Sequence, residues 1–478
     1  KNNVSALGVF ERSETATGSN IPNFRESWVF RATYDFNSRY FLEYNGAYNG
    51  SEKYADKHRF AFFHAGAIGW TPTNEPFMKA VKNFKLWDRH VVDFLKVRYS
   101  LGQIGDDSVA RWQYQDNWAY GGNAVLSDTQ KGSPYNYYRL SSLGNPDIHW
   151  EVVTKQNFGI DYSFFDGLAA GSVDIFHDRR TDVVVNGGDR AIPSYFGTNA
   201  PVANVGEVKT GGYEIELRLN KTFKGGHRVW ANMSMTHAEN EIVKRDDKPL
   251  LPNYQKQAGY AIGQPKYHIS GGYINTVDEL YASPKHDSSD TQKLVGDYYI
   301  VDFDGDGKVD TNDKAPYGYT GTPENTYNAT IGYEWKGFSF TAQFYGVTNV
   351  TRYVGLGSFG NSSTRLNTVF DQGSWWSEKG VGADVVTPRY ATTPNEEVFY
   401  GTQMYYDGSY IRLKNIELSY SWNDGWVKKC GLQNLRLYVS ANNLWTYTNM
   451  PDDREANGSQ VAAYPTVKRV NFGLKFTL

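Results

Sequence analysis

The sequence predicts an all-β fold, a transmembrane, antiparallel, up-and-down β-barrel with long external loops. Three observations carry this prediction. Apolar and polar residues alternate in segment after segment, aromatic residues and glycine are abundant in a polar chain, and short connections alternate with long ones. Something over a dozen such segments occur, whereas large plugged barrels close with about 22 strands. The 478 residues are therefore expected to supply the later strands of such a barrel.

The alternation is clearest in the last segment. There, every second position is apolar, at Val470, Phe472, Leu474, Phe476 and Leu478. Because successive side chains on a strand point to opposite faces, one face of this strand is apolar and the other polar. A strand of this length crosses a bilayer when it is tilted. The same pattern predicts strands over 30–36, 41–48, 94–101, 157–164, 173–178, 214–220, 229–236, 267–273, 329–335, 338–345, 411–422 and 435–441.

Composition favours strands, not helices, as the membrane-spanning elements. The chain has 36 Tyr, 26 Phe, 13 Trp and 47 Gly, yet its mean hydropathy is only -0.59. A barrel needs apolar side chains on one face of each strand, so the average stays low while aromatic residues gather at the membrane interfaces. A net charge of -3 gives no basic field that would attract nucleic acid. The one cysteine, Cys430, excludes an intramolecular disulfide.

The connections distinguish a membrane barrel from a soluble sandwich. Short turns are predicted at Asn37-Ser38, Phe165 to Gly167 and Lys336-Gly337, and a phase change near Lys414-Asn415 indicates a β-bulge. Loops longer than about 15 residues are uncommon in compact soluble domains, whereas outer-membrane barrels combine short periplasmic turns with long external loops. The long loops are predicted over 102–148, 181–205, 239–265, 276–326 and 350–410.

An acidic segment, Asp302 to Asp313, matches the twelve-position spacing of a calcium-binding loop. Gly307 supplies the sharp turn at the sixth position, and hard oxygen donors at this spacing favour Ca²⁺, since carboxylates so close together repel one another without a cation. The alternative is a solvated acidic loop. Asp313 is shorter than the Glu usual at the last position. The predicted metal ligands are Asp302, Asp304, Asp306, Lys308 through its carbonyl oxygen, Asp310 and Asp313.

Several passages, taken in this order, resemble the SusC/RagA family of TonB-dependent transporters. The most distinctive is Asn145-Pro146-Asp147-Ile148-His149-Trp150-Glu151. The others are Asn157 to Asp161, Gly211 to Glu214, the acidic segment, Gly408 to Ile416, and Tyr464-Pro465 before the final strand. The resemblance covers nearly the whole chain. It implies a location in the outer membrane of a Gram-negative bacterium of the Bacteroidetes type.

The resemblance also implies a function, which is energy-coupled import of bulky nutrients such as oligosaccharides or peptides. The implied partners are a SusD-like surface lipoprotein, TonB acting through an N-terminal part, outer-membrane lipid, and the remainder of the barrel. Residues 1–478 are expected to be the C-terminal portion of the barrel, without the plug domain and the first strands. Leu478 departs mildly from the aromatic C-terminus that barrel-assembly machinery is expected to read.

Two other classes of protein remain open at this point. One is a passive porin or adhesion barrel, and the other is a soluble all-β carbohydrate-active enzyme. Paired carboxylates in the sequence are adjacent and would point to opposite faces of a strand, so catalysis is not expected. Aromatic clusters in the loops would either stack on sugar rings or pack within the loops. These clusters are Trp112 to Tyr114, Tyr135 to Tyr138, Trp375-Trp376 and Tyr405-Tyr406.

Overall fold

The computed structural model of the chain describes residues 2–18, 20–123, 136–286, 293–353, 401–450 and 466–478. Fourteen strands form one sheet, and their order in the sheet follows their order in the sequence. This confirms the predicted up-and-down connection. The strands are β1 Asn2–Thr15, β2 Asn23–Phe36, β3 Tyr40–Ser51, β4 Phe60–Trp70, β5 Val92–Asp106, β6 Glu151–Phe164, β7 Ala169–Val185, β8 Ala203–Thr222, β9 Arg228–Lys244, β10 Asn325–Trp335, β11 Phe338–Thr348, β12 Tyr410–Trp422, β13 Asn434–Thr448 and β14 Arg469–Thr477.

Contacts divide the chain into two compact units. The first comprises 1–217, 238–251 and 256–261, and the second comprises 218–237, 252–255 and 262–478. The first unit holds strands β1 to β7, and the second holds strands β10 to β14.

In the second unit, one face of the strands is apolar and exposed. Strand register places Phe472 opposite Val439, and Val439 opposite Leu418. Leu418 in turn lies opposite Phe340, so a single apolar row crosses four strands. Phe472 is 81% exposed. The described part of this face is therefore not covered by a second sheet or by helices, as a strand facing lipid requires.

The first unit shows the same arrangement. Leu42 lies opposite Ile68, Ile68 opposite Tyr99, and Tyr99 opposite Phe158. All four side chains are exposed. The strand register therefore places the apolar residues of neighbouring strands side by side, and together they form a continuous apolar face.

The tight turns lie where the sequence predicts them. Asn37 and Ser38 have φ values of 54° and 52°, and Lys336 and Gly337 have φ values of 43° and 88°. Positive φ at both central residues gives the backbone twist that matches two antiparallel strands joined by a two-residue turn. The predicted bulge is also confirmed, since the pairing of β12 with β13 shifts between Leu413 and Asn415.

The predicted sheet strand over 267–273 is wrong. These residues form two short strands, Lys266–His268 and Ser270–Tyr273, which pair with Lys314–Pro316 and Tyr298–Ile300 inside the long connection from β9 to β10. Alternation arises there because Tyr273 packs against a small buried cluster within that connection. Strands β1 and β4 were not predicted, because both carry apolar or small residues on both faces.

The connections contain further short elements. Among the described residues, no helix has the length and apolar character needed to span a membrane. The short strands are Lys85–Leu86, Arg89–His90, Asn117–Asn123, Asn136–Ser142, Lys285–His286, Lys308–Val309, Thr351–Tyr353 and Tyr405–Asp407. The helices are Lys79–Asn83, Val277–Ala282 and Trp426–Lys429, with 3-10 turns at Asp56–His58, Pro72–Asn74, Pro76–Met78, Gly187–Asp189, Ser194–Phe196, Thr311–Asp313 and Gly401–Met404.

Buried apolar residues gather within or beside the long connections. In the first unit the cluster comprises Tyr54, Phe63, Val109, Ile148 and Trp150. The described residues of the second unit form two clusters, one of Tyr298, Ile300 and Val309 and one of Val347, Val350, Tyr410 and Met450. The predictions made for Tyr135, Trp375, Trp376 and Tyr464-Pro465 lie outside the described residues.

Candidate functional site

Charged side chains occupy the sheet face opposite the apolar rows. On strands β5, β6 and β7, Arg98 Nη2 lies 2.6 Å from Asp174 Oδ2, and Arg98 Nε lies 3.3 Å from Asp161 Oδ2. Asn157 Nδ2 donates to the other oxygen of Asp174 at 2.9 Å. Gly159 lies between Arg98 and Asp174, and a Cβ at this position would come within 2.5 Å of the guanidinium carbon. Glycine is therefore required for the charges to meet across three strands.

Similar ion pairs recur along the polar face of both units. Arg31 Nη2 lies 2.7 Å from Glu43 Oε2 on β2 and β3. On β12 and β13, Arg436 pairs with Glu417 and donates to Ser419 Oγ at 3.0 Å. Charges paired across neighbouring strands, on the face opposite a lipid-facing surface, are what the wall of a water-filled lumen presents. This polar face is the candidate pore lining.

The motif at 145–151 holds the long connections of the first unit together. Ile148 is fully buried and Trp150 is 3% exposed, and the Trp150 ring lies 5.4 Å from that of Tyr54. Asn145 Nδ2 donates to the Val202 carbonyl at 2.8 Å, and Glu151 Oε1 accepts from the Val184 N–H at 2.9 Å. Since these side chains are engaged within the protein, the motif supports the structure of the long connections.

The acidic loop brings three of its predicted ligands together. Oxygen atoms of Asp302, Asp304 and Asp306 lie within 4.8 Å of one another. Gly305 and Gly307 have φ values of 78° and 90°, which a residue with a Cβ rarely adopts. This donor set, hard carboxylate oxygens on a tight loop, fits a Ca²⁺ ion.

The last acidic positions of the loop bind its backbone. Asp313 is 1% exposed, and its carboxylate accepts N–H groups from Phe303 at 2.6 Å and from Asp310 at 2.7 Å. Asp310 accepts the N–H of Asn312 at 2.6 Å, and its carbonyl lies 2.7 Å from His268 Nε2. These contacts shape the loop, and their part in metal coordination stays a prediction.

Two carboxyl groups of the loop have pKa values shifted in opposite directions. Desolvation acts to raise the pKa of Asp302, but three backbone N–H groups of the loop outweigh it and hold the pKa below its ordinary value. The pKa of Asp304 lies above its ordinary value, because desolvation and the neighbouring carboxylates both disfavour its charged form. Mutual repulsion of this kind is what a bound cation would relieve.

Comparison with known proteins agrees with this architecture. No family model matches the chain. TonB-dependent receptor P3 from Formosa agariphila is 28% identical over 93% of this chain and 44% of its own length. TonB-dependent receptor SusC from Bacteroides thetaiotaomicron is 23% identical over 87% of this chain and 39% of its own length. Among solved structures, the RagAB peptide transporter superposes with a TM-score of 0.71 at 20% identity, over 96% of this chain and 49% of that one.

The chain matches the barrel portion of TonB-dependent receptors of the SusC/RagA type. It spans about half the length of the curated relatives it matches, or slightly less. The receptor belongs in the outer membrane of a Gram-negative bacterium of the Bacteroidetes type. The curated relatives that it matches are named as TonB-dependent receptors, not as enzymes.

Sequence reasoning missed one group of possible metal ligands in the receptor. Ligand atoms of His90, Asp93 and Asp166 lie within 4.8 Å of one another, and His90 Nδ1 is 2.8 Å from Asp166 Oδ1. Asp166 is far from His90 and Asp93 in the sequence, and it meets them because β5 pairs with β6. No local pattern would have revealed them. In the structure they hold the end of the connection between β4 and β5 against the turn between β6 and β7.

The aromatic clusters divide into packed and exposed sets. Arg111 lies over the Trp112 ring at 4.7 Å, and Tyr405 stacks on Tyr267 with ring centroids 4.0 Å apart, so these clusters are packed within the loops. By contrast, the hairpin of Asn117–Asn123 and Asn136–Ser142 exposes four rings, those of Trp118, Tyr120, Tyr137 and Tyr138. Sequence reasoning named the two tyrosines of the second strand as a cluster but did not single out Trp118 and Tyr120.

Proposed function

We propose that the receptor is an energy-coupled importer of bulky nutrients, to which this chain contributes part of the pore wall. The observation that carries the proposal is a sheet with an exposed apolar face and a charged opposite face, in a chain similar to TonB-dependent receptors. A lipid-facing row and a charged lumen suit passage of polar cargo. The names of the relatives include a peptide importer, so peptides and oligosaccharides are the cargo classes to test.

Uptake by whole cells separates this proposal from a passive porin. Cells expressing the full-length receptor are given labelled peptides and labelled oligosaccharides, with and without a protonophore that removes energy coupling. An importer accumulates one cargo class only while energised, and a strain lacking the gene accumulates neither. Uptake that persists after the protonophore, or ion conductance through an unblocked pore in a planar bilayer, would indicate a porin. Hydrolysis of the oligosaccharide by the purified protein would indicate an enzyme.

We assign cargo contact to the exposed aromatic hairpin. Trp118 and Tyr138 are 65% and 68% exposed, and the Tyr120 and Tyr138 rings meet edge to face with centroids 5.9 Å apart. Aromatic faces of this kind stack on sugar rings and on peptide side chains. Replacing Trp118 and Tyr138 with Ala should weaken cargo uptake several-fold at unchanged expression. Tyr281→Ala is the matched control, since Tyr281 is 85% exposed on a separate short helix.

Partnership with a SusD-like surface lipoprotein is proposed on the likeness to the RagAB complex. Affinity purification of the full-length receptor from its own membranes tests it. A lipoprotein recovered in equal amount with the receptor is expected. Recovery of the receptor alone, under mild detergent that preserves other outer-membrane complexes, would contradict the proposal.

The acidic loop is proposed to bind Ca²⁺ and to stiffen the long connection from β9 to β10. Supporting features are the three converging carboxylates and the Tyr254 ring, whose centroid lies 4.8 Å from that of Phe303. Tyr254 should therefore transfer excitation to Tb³⁺ bound in the loop, and Ca²⁺ should compete. Replacing Asp302 and Asp304 with Asn should abolish the Tb³⁺ luminescence. The control Asp278→Asn removes one negative charge at an exposed position of the same connection and should leave the luminescence intact.

A further inference from the structure

The connection from β4 to β5 differs from the others at its end of the strands. It is the longest connection there, and it contains the 3-10 turn Pro76–Met78, the helix Lys79–Asn83 and the two-stranded hairpin Lys85–Leu86 with Arg89–His90. We call residues 76–90 the interfacial arm. Its neighbours at this end, such as the turn at Asn37-Ser38, are tight and carry no comparable element.

The arm leaves the sheet from a rigid base. Thr71 and Thr73 are buried, and the Thr71 N–H donates to the Arg39 carbonyl at 2.8 Å. The Thr73 hydroxyl accepts the N–H of Leu95 at 3.2 Å, and Asn74 Nδ2 donates to the Ser38 carbonyl at 2.7 Å. The starting direction of the arm is therefore fixed by both the preceding turn and strand β5.

The returning half of the arm is fastened to the next turn. Arg89 Nη1 donates to the Phe165 carbonyl at 2.8 Å, and the His90 ring bonds to the Asp166 carboxylate. Between these anchors, Trp87 and Asp88 form the hairpin tip with φ values of 53° and 61°. A bulky side chain rarely adopts this left-handed conformation, since its Cβ crowds the backbone. The backbone of the hairpin tip is therefore strained, and the Trp87 side chain at this tip is exposed.

The arm exposes large apolar side chains that the described part of the chain does not cover. Trp87 is 80% exposed, Phe77 66% and Phe84 59%, and Val81 and Leu86 are also exposed. The Phe77 ring lies 6.5 Å from that of Trp70. Because Trp70 pairs with Tyr40 in the apolar rows, the arm continues the lipid-facing surface and not the polar face.

The arm is also basic. Its cations are Lys79, Lys82, Lys85 and Arg89, against the single carboxylate of Asp88. The three lysines are exposed, and none forms an ion pair with the described residues of the chain. Aromatic and basic side chains presented together are typical of segments that lie at the surface of an anionic membrane.

We propose that the interfacial arm binds anionic phospholipid headgroups at the membrane surface where the short turns emerge. Trp87, Phe84 and Phe77 enter the headgroup layer, and the lysines pair with phosphate groups. Three features favour this occupant, namely the excess of positive charge, the exposed aromatic rings and the continuity with the apolar face. The short-turn end is the periplasmic end in barrels of this kind, so the leaflet concerned is the periplasmic one.

Spin labelling of the full-length receptor tests the proposal. Cys430 and other cysteines are replaced with Ser, and a nitroxide is attached after Phe84→Cys or Trp87→Cys. The receptor is placed in nanodiscs of phosphatidylethanolamine with or without phosphatidylglycerol. Collision of each label with oxygen, which concentrates in lipid, is compared with collision with an aqueous nickel chelate. The control label is attached after Asp56→Cys, at a side chain that is 90% exposed in the connection between β3 and β4, at the other end of the strands.

The proposal expects high oxygen and low nickel accessibility at both arm positions, with the reverse at the control. High nickel accessibility at the arm would mean that it faces water, and would overturn the proposal. Low accessibility to both reagents would mean that protein covers the arm, and would overturn it equally. These three outcomes do not depend on transport activity.

Charge reversal tests the preference for anionic lipid. With phosphatidylglycerol present, the label at position 87 should lie deeper, and Lys82→Glu with Lys85→Glu should remove that shift. The matched control, Lys244→Glu with Lys248→Glu, changes the same charge at exposed positions outside the arm and should leave the shift unchanged. A label depth that is indifferent to phosphatidylglycerol in the unsubstituted arm would refute recognition of anionic headgroups.

Discussion

In the first unit, two tryptophans at opposite ends of the strands differ in exposure. At the end with long connections, Trp150 is 3% exposed and its Nε1 donates to the Arg59 carbonyl at 3.2 Å. At the end with short turns, Trp87 is 80% exposed on the interfacial arm. The long connections pack against one another and bury their own apolar side chains. The interfacial arm stands between tight turns, which offer no long connection to pack against it, and its exposed rings lie beside the lipid-facing surface.

The largest expected effect comes from removing the buried ring at the long end. Trp150→Ala deletes a side chain packed against Tyr54 and Phe63, and should lower the free energy of unfolding by about 3–5 kcal/mol. Thermal and denaturant unfolding of the full-length receptor in detergent provide the measurement. Trp118→Ala, at a 65% exposed position, should cost far less. Equal losses would mean that the buried cluster does not stabilise the long connections.

Breaking the polar support of the same cluster should have the next largest effect. Glu151 is 7% exposed, pairs with Arg180 and accepts the Val184 N–H. Glu151→Gln keeps the shape but weakens both bonds, and should cost about 1.5–3 kcal/mol in the same unfolding assay. Asp56→Asn, which affects a highly exposed pair with Arg59, should be close to neutral. If Glu151→Gln leaves the free energy of unfolding unchanged, this carboxylate does not stabilise the long connections.

Close packing of glycine against aromatic rings gives a third test. A Cβ at Gly105 would lie 2.0 Å from the Phe63 ring, which belongs to the buried cluster. Gly105→Ala must displace that ring, so unfolding should become easier by about 1–3 kcal/mol. At Gly188 a Cβ would meet no atom within 4 Å, so Gly188→Ala serves as the control. Tolerance of both substitutions would show that Phe63 can move without loss.

The short-turn end is sensitive to backbone conformation instead of burial. Gly337 has a φ of 88°, and a Cβ there would lie 2.4 Å from the Ser421 carbonyl oxygen. Gly337→Ala should destabilise this turn by about 1–2 kcal/mol, as the left-handed region penalises a side chain. Gly8→Ala meets open space and should not. Hydrogen exchange of the β10–β11 hairpin reports the difference, and unchanged exchange in Gly337→Ala would contradict the assignment of strain.

The smallest expected effect is a pH dependence of the acidic loop. Because the pKa of Asp304 is raised in the folded loop, the folded form binds this proton more strongly than the unfolded form. Its contribution to stability is therefore present at low pH and lost as the pH rises through the raised value. Hydrogen exchange of the loop in the presence of a chelator should show protection falling across that window, and less so in Asp304→Asn. Added Ca²⁺ should restore protection at neutral pH.

Much of this architecture could be predicted from single segments of sequence. Period-two alternation in the last strand specifies an apolar and a polar face whatever surrounds it, because successive side chains point to opposite sides. The turns at Asn37-Ser38 and Lys336-Gly337 were also predicted correctly from the local sequence. The spacing of the acidic residues predicted that Asp302, Asp304 and Asp306 lie close together, because a tight loop of five residues brings their side chains to one point.

Tertiary structure alone decided which charges meet and which rings stay exposed. The pairing of Arg98 with Asp174, and of His90 with Asp166, depends on strand register, which joins residues far apart in the chain. The segment 267–273 carried the same alternation as a barrel strand, yet paired locally inside a loop. Trp87 and Trp150 are chemically identical in the sequence. Only the packing of the connections around them determines that one is buried by protein and the other is left facing the membrane surface.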